Sequence, residues 1–206
     1  MSAEAPRVSQ LSSRFDEAFL YAHDAHRHQR RKKTDRPYIS HLMGVASLVL
    51  QYGGDEDQAI AALLHDVVED CGGAARLEEI REKFGDNVAR MVHGCTDTDQ
   101  TPKPPWRARK ESYVQRVAGE AADVLLVSAA DKLYNVREIQ MDLRENGPAV
   151  WERFSGRREG SLWYYRELVK VFQRRSSGAH ANGRERALRP LADELARAVA
   201  DLERLG

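Results

Sequence analysis

Cysteine is scarce in this chain: two occur among 206 residues, Cys71 and Cys95. They lie in unrelated surroundings without a CxxC spacing, so the sequence indicates neither a disulfide framework nor a zinc knuckle. Long apolar runs are also missing, and the N-terminus lacks a basic segment followed by an apolar core. We therefore expect two reduced thiols in a cytoplasmic protein that makes no contact with a membrane.

The chain carries no net charge. Its 32 Lys and Arg residues balance 32 Asp and Glu residues, so no general positive field attracts nucleic acid, and any anion site must be local. Residues 28–33, HQRRKK, have a rival interpretation as an RNA-binding patch. The zero net charge and the lack of interleaved aromatic residues count against it, and we expect no nucleic-acid partner.

The length and composition predict one domain. With 42% hydrophobic and 31% charged residues, 206 residues suffice for one buried core and are too few for two full-sized domains. Helical periodicity runs almost throughout, which predicts an all-α, compact, single-domain helical bundle. Residues 121–136 lack a breaker and predict one long buried helix, whereas the three prolines between Thr96 and Arg109 predict a loop over residues 96–107.

Composition also divides the chain. We predict an N-terminal tail over residues 1–13, a main domain over 14–175, a flexible linker over 176–183 and an amphipathic C-terminal helix over 184–206. The last segment carries an apolar stripe of five residues, namely Leu188, Leu191, Leu195, Val199 and Leu202. Such a stripe needs a partner surface, which is either the body of this chain or another chain, so a homodimer is one of the two expectations.

Residues 60–70, IAALLHDVVED, predict an amphipathic helix with an unusual polar face. On a helical wheel the apolar residues share one arc, and His65, Asp66, Glu69 and Asp70 fall on the opposite strip. A solvated outer face is the alternative interpretation, but such faces usually mix charges of both signs. Three carboxylates within about one turn repel one another by a few tenths of a kcal/mol per pair, and a divalent cation would offset this repulsion.

Two further residues complete a candidate metal site with His65 and Asp66: His41, after residues 38–40, and Asp131, inside an apolar segment. Taken singly, His41 has an alternative as an ordinary half-buried histidine, and Asp131 as a partner of Lys132. Taken together, two imidazoles and two carboxylates form a mixed nitrogen and oxygen set that suits an octahedral ion such as Mn²⁺, with Fe²⁺ or Zn²⁺ as alternatives.

Three segments carry a family resemblance: residues 38–41, YISH; residues 63–70, LLHDVVED; and residues 130–135, ADKLYN. They resemble the signature blocks of the HD superfamily. More narrowly, they resemble the hydrolase domain of the RelA/SpoT proteins and their stand-alone relatives, the small alarmone hydrolases. The resemblance covers residues 14–175 in sequence order.

The resemblance implies an HD-type helical domain that binds one Mn²⁺ per chain and removes the 3′-diphosphate of (p)ppGpp, giving GDP or GTP and pyrophosphate. The residues that match the family's metal ligands are His41, His65, Asp66 and Asp131. The acidic pair Glu69 and Asp70 would handle the attacking water and the proton transfers. Arg31 and Lys32 would lie beside the nucleotide, with Arg31 on the base, and Asn135 would contact the nucleoside.

Other assignments stay open. Lys103, Arg109 and Lys110 either reach the diphosphate from the proline-rich loop or are solvated charges. The chain departs from the family at Ala129, where relatives often have lysine, and in residues 33–36, so activity on (p)ppApp, in addition or instead, is an open alternative. The family's synthetase half has no counterpart, so we expect degradation only. The alternatives in other classes are an HD-type nucleotidase acting on other nucleotides and a nucleotide-sensing module without turnover.

Overall fold

A computed structural model describes residues 11–32, 34–98, 100, 102–178 and 181–205. Residues 1–10 of the predicted tail, residue 33 of the basic run and residues 179–180 of the predicted linker lie outside this part. The described residues form eleven α-helices, one 3₁₀ helix over Gly147–Arg153 and no strand, which confirms the predicted all-α class. The helices are α1 (Ser13–Ala25), α2 (Ile39–Gln51), α3 (Glu56–Leu64), α4 (Val67–Cys71), α5 (Gly73–Phe84), α6 (Asp86–Cys95), α7 (Trp106–Val117), α8 (Ala122–Asn146), α9 (Arg157–Ser177), α10 (Gly183–Ala187) and α11 (Arg189–Leu205).

Helix α8 is the centre of the bundle. It is a single helix of 25 residues, as predicted, and its apolar first half is almost entirely buried. Helices α2, α3, α6 and α11 all pack against it. Because α8 touches elements from both ends of the chain, the polar residues halfway along it are held at a fixed place in the core.

A capping box opens helix α3. The side chain of Asp55 accepts from the backbone N–H of Gln58, and the side-chain oxygen of Gln58 accepts from the backbone N–H of Asp55. The two hydrogen bonds form a complete capping box. Every residue of α3 from Ala59 to Leu64 is buried, mainly against α1, α2 and α6. The cap and this burial fix the direction in which the chain reaches His65.

The prediction of one continuous helix over residues 60–70 is wrong. Helix α3 ends at Leu64 and α4 begins at Val67, with His65 and Asp66 in a turn between them. The reason lies in the His65 ring, whose Nδ1 donates to the carbonyl oxygen of Ala62 at 2.8 Å and so competes for an acceptor that belongs to the helix. Gly72 separates α4 from α5, and both Gly72 and Gly73, the first residue of α5, have positive φ.

The proline-rich stretch is shorter than predicted. Helix α7 begins at Trp106, so Trp106 and Arg107 are helical and only the residues up to Pro105 precede the helix. Pro105 is the N-cap, a place where its missing N–H removes no hydrogen bond. Arg109 and Lys110 therefore project from a helix and have defined directions.

The C-terminal segment packs on the body of the chain. Helix α11 contacts α8 and α9, and all five residues of its predicted apolar stripe are buried. The predicted linker overlaps the end of α9 and the first residue of α10, and Leu188 separates α10 from α11. Among the described residues, no helix is both long enough and apolar enough to span a membrane.

Candidate active site

The four predicted metal ligands come together in the middle of the bundle. Helix α2 contributes His41, the turn between α3 and α4 contributes His65 and Asp66, and α8 contributes Asp131. The two histidines and Asp131 are buried, and Asp66 is partly exposed. Four residues that are distant in sequence thus form one cluster, which we call the His/Asp cluster.

The donor atoms of the His/Asp cluster face a common point. Nε2 of His41 lies 3.3 Å from Nε2 of His65. Oδ2 of Asp66 lies 3.2 Å from the His65 nitrogen and 3.5 Å from the His41 nitrogen. Oδ1 of Asp131 lies 3.3 Å from the His41 nitrogen and 3.6 Å from the His65 nitrogen.

These spacings suit a metal ion. Ligands about 2.1 Å from one divalent ion, at angles of roughly 90° to 109°, stand about 3.0–3.4 Å apart. Three of the five observed distances, at 3.2–3.3 Å, fall within this range, and the other two, at 3.5 and 3.6 Å, lie slightly above it. The bond from Nδ1 of His65 to the Ala62 carbonyl also fixes the tautomer, so that Nε2 is the nitrogen free to bind a metal. The residues present therefore fit a divalent cation.

The electrostatics of the cluster favour a cation. Burial opposes the charged form of Asp66, yet the His65 imidazole beside it holds the pKa of this carboxyl well below its usual range. Burial likewise opposes protonation of His65, and the charge of Asp66 outweighs it and raises the pKa of the imidazole well above its usual value. Two ionised carboxylates thus share a buried site, and a divalent cation would take the place of the proton on Nε2.

Three neighbours hold the carboxylate ligands. The hydroxyl of Tyr38 donates to Oδ2 of Asp66 at 2.5 Å. The side-chain N–H of Asn135 donates to Oδ1 of Asp131 at 2.5 Å, and the ammonium of Lys132 donates to Oδ2 of Asp131. These three hydrogen bonds orient the carboxylates of the His/Asp cluster.

Glu69 and Asp70, the predicted catalytic pair, lie on α4 one turn beyond the cluster. Oε1 of Glu69 accepts from the ammonium of Lys103 at 2.8 Å, and Oε2 accepts from the backbone N–H of Asp97 at 3.3 Å. Oδ2 of Asp70 accepts from the side-chain amide of Gln29 at 2.7 Å. Both carboxylates are partly buried and both line the same cavity.

That cavity has a volume of about 640 Å³. The volume is within the usual range of roughly 300–1,000 Å³ for pockets that hold small molecules. The wall combines the two acids with cationic side chains and with aromatic residues, among them Trp106, Phe154 and Tyr164. All six predicted substrate-binding residues line it, namely Arg31, Lys32, Lys103, Arg109, Lys110 and Asn135.

The predicted cations have acidic partners in this structure. Nε and Nη2 of Arg31 donate to Oε2 of Glu138 at 2.9 and 2.5 Å, and Nη2 also donates to Oδ1 of Asn135 at 2.6 Å. Arg109 and Lys110 both donate to Oδ2 of Asp97, the lysine at 2.8 Å. Lys110 and Arg109 are therefore not freely solvated charges, which was the alternative interpretation of the sequence.

Sequence reasoning missed four residues of the site. Asp97, Lys132 and Glu138 pair with predicted residues, and Tyr38 holds Asp66. A signal existed for Tyr38 and Lys132, because residues 38–41 and 130–135 both carry the family resemblance. In the sequence, Lys132 has a role only in the alternative interpretation, in which Asp131 forms an ordinary ion pair with it. In the structure, the ion pair between Lys132 and Asp131 exists together with the His/Asp cluster. Burial lowers the pKa of the Lys132 ammonium, but the charge of Asp131 outweighs burial and raises this pKa well above its usual value.

Comparisons with known proteins agree with this geometry. Residues 18–162 match the family model described as the HD domain. The chain is 39% identical over 138 residues to the guanosine-3′,5′-bis(diphosphate) 3′-pyrophosphohydrolase MESH1 of Xenopus tropicalis, which covers 66% of this chain and 72% of the relative. It is 36% identical over 132 residues to the guanosine-3′,5′-bis(diphosphate) 3′-pyrophosphohydrolase of Aquifex aeolicus, but this match spans only 18% of that longer protein.

A solved structure resembles the whole bundle. It is a metazoan ortholog of SpoT, described as hydrolysing ppGpp and playing a role in starvation responses. The TM-score is 0.69 at 30% sequence identity, and the match covers 91% of this chain and 96% of the other. The likeness therefore extends beyond the signature segments to the arrangement of the helices.

Proposed function

This chain belongs to the HD domain family, and on that premise we propose that it is a metal-dependent pyrophosphohydrolase that removes the 3′-diphosphate of ppGpp. Its products would be GDP and pyrophosphate, or GTP and pyrophosphate from pppGpp. One observation carries the proposal: Glu69 and Asp70 line a cavity of about 640 Å³ with a wall rich in cations, and this wall includes Tyr38 and Asn135, which donate to the two carboxylates of the His/Asp cluster. This combination suits a small molecule that bears several phosphates.

The HD family implies a divalent metal. The proposed ligands are His41, His65 and Asp66, which lie close enough together to hold one ion, and Asp131, which faces both histidines. Two imidazole nitrogens and two carboxylate oxygens favour Mn²⁺, with Fe²⁺ and Zn²⁺ as the alternatives. When bound, such an ion lowers the pKa of a coordinated water and draws charge from a phosphoryl oxygen.

We propose that Glu69 and Asp70 carry out the proton transfers of the reaction. The oxygen of a water forms a bond to the phosphorus next to O3′, and the bond between O3′ and that phosphorus breaks. One carboxylate of the pair takes a proton from the water, and a proton is returned to O3′, so that the nucleoside leaves with a hydroxyl. Gln29 holds Asp70, and the Asp97 backbone holds Glu69, so neither carboxylate needs to reorient at the moment of reaction.

The cavity offers two kinds of contact to the substrate. Arg31, Lys32 and Asn135 line one part, where a planar guanidinium can stack on a nucleobase. Lys103, Arg109 and Lys110 line the part next to Glu69, where they would bind the 3′-diphosphate and offset the charge that builds on its phosphoryl oxygens as water attacks. Lys103 would exchange its ion pair with Glu69 for the phosphate.

The test is turnover by the purified, Mn²⁺-loaded chain with ppGpp, pppGpp, ppApp and dGTP in parallel, with pyrophosphate, phosphate and nucleosides quantified together. We expect one pyrophosphate per GDP from ppGpp, and the rate on ppApp relative to ppGpp decides the base preference. Release of phosphate or triphosphate from dGTP in place of alarmone turnover would favour the nucleotidase. Tight binding of ppGpp without products would favour the sensing module.

A further inference from the structure

Two bridges join Arg31 to the two carboxylates of the His/Asp cluster. The first is Tyr38, whose ring lies under the Arg31 guanidinium, with 5.3 Å from the guanidinium carbon to the ring centroid, and whose hydroxyl donates to Asp66 at 2.5 Å. The second is Asn135, whose Oδ1 accepts from Arg31 at 2.6 Å while its Nδ2 donates to Asp131 at 2.5 Å. Each bridge consists of one residue.

The Tyr38 bridge is rigid. The ring is buried, it stacks on His26 with a centroid distance of 4.7 Å and an interplanar angle of 14°, and its edge meets the His41 ring at 5.7 Å. The hydroxyl of Tyr38 donates to Oδ2 of Asp66. The acceptor is also the Asp66 oxygen that faces both imidazole nitrogens.

We propose that Tyr38 is a positioning residue that couples metal binding to nucleotide binding, with Asn135 as the parallel bridge. A cation drawn to Asp66 fixes the carboxylate, the carboxylate fixes the Tyr38 hydroxyl, and the ring then holds Arg31 at one place in the cavity. Coupling of this kind is reciprocal, so a bound nucleotide raises the affinity for the metal by the same factor. This inference rests on the proposed function, because it takes Arg31 as a nucleotide contact.

The variant that isolates the bridge is Tyr38→Phe, which keeps the ring and removes one hydroxyl. The matched control is Tyr134→Phe: the Tyr134 ring also lies against His41, at 5.2 Å, but its hydroxyl donates to the backbone carbonyl of Ser40 at 3.2 Å and not to a metal ligand. Circular dichroism and thermal unfolding of the full chains confirm that both variants fold. Tyr38→Leu, which removes the ring as well, separates the role of the ring from that of the hydroxyl.

Two affinities are measured on each metal-free full chain: that for Mn²⁺, by competition with a fluorescent chelator, and that for GDP, by calorimetry with and without saturating Mn²⁺. GDP is the probe because it lacks the 3′-diphosphate. We expect Mn²⁺ to tighten GDP binding to the wild type roughly 5-fold or more. Tyr38→Phe is expected to weaken Mn²⁺ binding on the order of 10-fold and to remove most of this tightening, with Tyr134→Phe close to wild type.

Several outcomes would overturn the coupling: equal GDP affinity of the wild type with and without Mn²⁺, no GDP binding in either state, or a Tyr38→Phe variant that matches Tyr134→Phe in both measurements. Turnover of ppGpp by the wild type is measured separately. A wild type that hydrolyses ppGpp but shows no coupling refutes this inference alone. A wild type without turnover refutes the proposed function, while the Mn²⁺ affinities still decide whether Tyr38 positions Asp66.

Discussion

The ammonium of Lys103 lies 2.8 Å from Oε1 of Glu69, across 34 positions of sequence. This ion pair ties the proline-rich stretch before α7 to the proposed catalytic acid, and the same ammonium lies 3.9 Å from Oδ1 of Asp70. Lys103 is the more exposed partner, with 46% of its side chain accessible against 18% for Glu69. Because an exposed ammonium is easily drawn away by phosphate, the pair can open when a substrate arrives without a change in the helices.

Glu69→Gln and Asp70→Asn test the acid pair separately. Each amide keeps the shape of the side chain and a hydrogen-bond acceptor, so Lys103 or Gln29 retains a partner, but it cannot take a proton from water. We expect turnover of ppGpp to fall roughly 10²–10⁴-fold in at least one variant, while Mn²⁺ content and binding of GDP stay near wild type. Steady-state kinetics and calorimetry measure these quantities.

A control for this pair is Glu79→Gln on α5, which also removes an acid that accepts from a cation, here Arg76. It should retain full turnover because Glu79 is absent from the wall of the cavity. Unchanged turnover in both Glu69→Gln and Asp70→Asn would refute the proposed mechanism.

Asp131→Ala should abolish metal binding and turnover while the helical content stays nearly intact. The substitution removes one of four donors from the His/Asp cluster and leaves Lys132 without its partner, but alanine is a good helix former in the middle of α8. Metal content per chain, measured after dialysis against Mn²⁺, and circular dichroism check this outcome. The control is Asp123→Ala, which removes an acid on the same helix that pairs with Arg90. This variant should still bind Mn²⁺. Retention of full activity by Asp131→Ala would show that the ligand assignment is wrong.

The helical class was within reach of the sequence, because helical periodicity is a local pattern, and the four predicted metal ligands do lie together in the fold. The apolar run before Asp131 continues without a breaker and so predicts α8. The break at His65 was not within reach. A helical wheel drawn over residues 60–70 assumes that every backbone carbonyl accepts a hydrogen bond from the helix itself. It cannot show that the His65 ring donates to the Ala62 carbonyl.

The pairing of the cations was also beyond the sequence. Arg109 and Lys110 are separated from Asp97 by the proline-rich stretch, and only the start of α7 at Trp106 brings all three together. Before that start is known, the same two cations fit a solvated loop equally well. Sequence patterns indicate which residues carry chemistry, whereas the partners of those residues depend on where helices begin and end.

Cys71 should react slowly with alkylating reagents near neutral pH. Burial raises the pKa of its thiol to about 11, with the charge of Asp70 adding to the effect. At pH 8 roughly one thiol in a thousand is then ionised, against about one in four for an ordinary cysteine with a pKa near 8.5. Because only the thiolate reacts, the rate of modification should rise about tenfold per pH unit between pH 8 and pH 10.

Mass spectrometry after timed exposure to iodoacetamide measures this rate for Cys71 and Cys95 together. Cys95 is buried and its thiol pKa is raised further, so it should react more slowly than Cys71. The protein unfolded in guanidinium supplies the comparison, and there both thiols should react quickly at pH 8. Rapid labelling of Cys71 in the folded chain would contradict the burial that the structure gives it.

Gly44→Ala should destabilise the bundle at the contact between α2 and α8. A Cβ built on Gly44 would lie 1.9 Å from Cε2 of Tyr134, so the ring must move away, and the neighbouring His41 ring leaves it little room. Overpacking of this kind costs about 1–3 kcal/mol, which outweighs the gain of up to about 1 kcal/mol from replacing a helical glycine by alanine. Gly183→Ala in α10 is the control, because nothing lies within 4 Å of its added Cβ. Urea unfolding should therefore show a loss of stability for Gly44→Ala and none for Gly183→Ala.

A displaced Tyr134 would also press on His41, so Gly44→Ala should bind Mn²⁺ more weakly even at temperatures where the chain is fully folded. Equal Mn²⁺ affinity in Gly44→Ala and Gly183→Ala would show that the Tyr134 ring moves away from the His/Asp cluster.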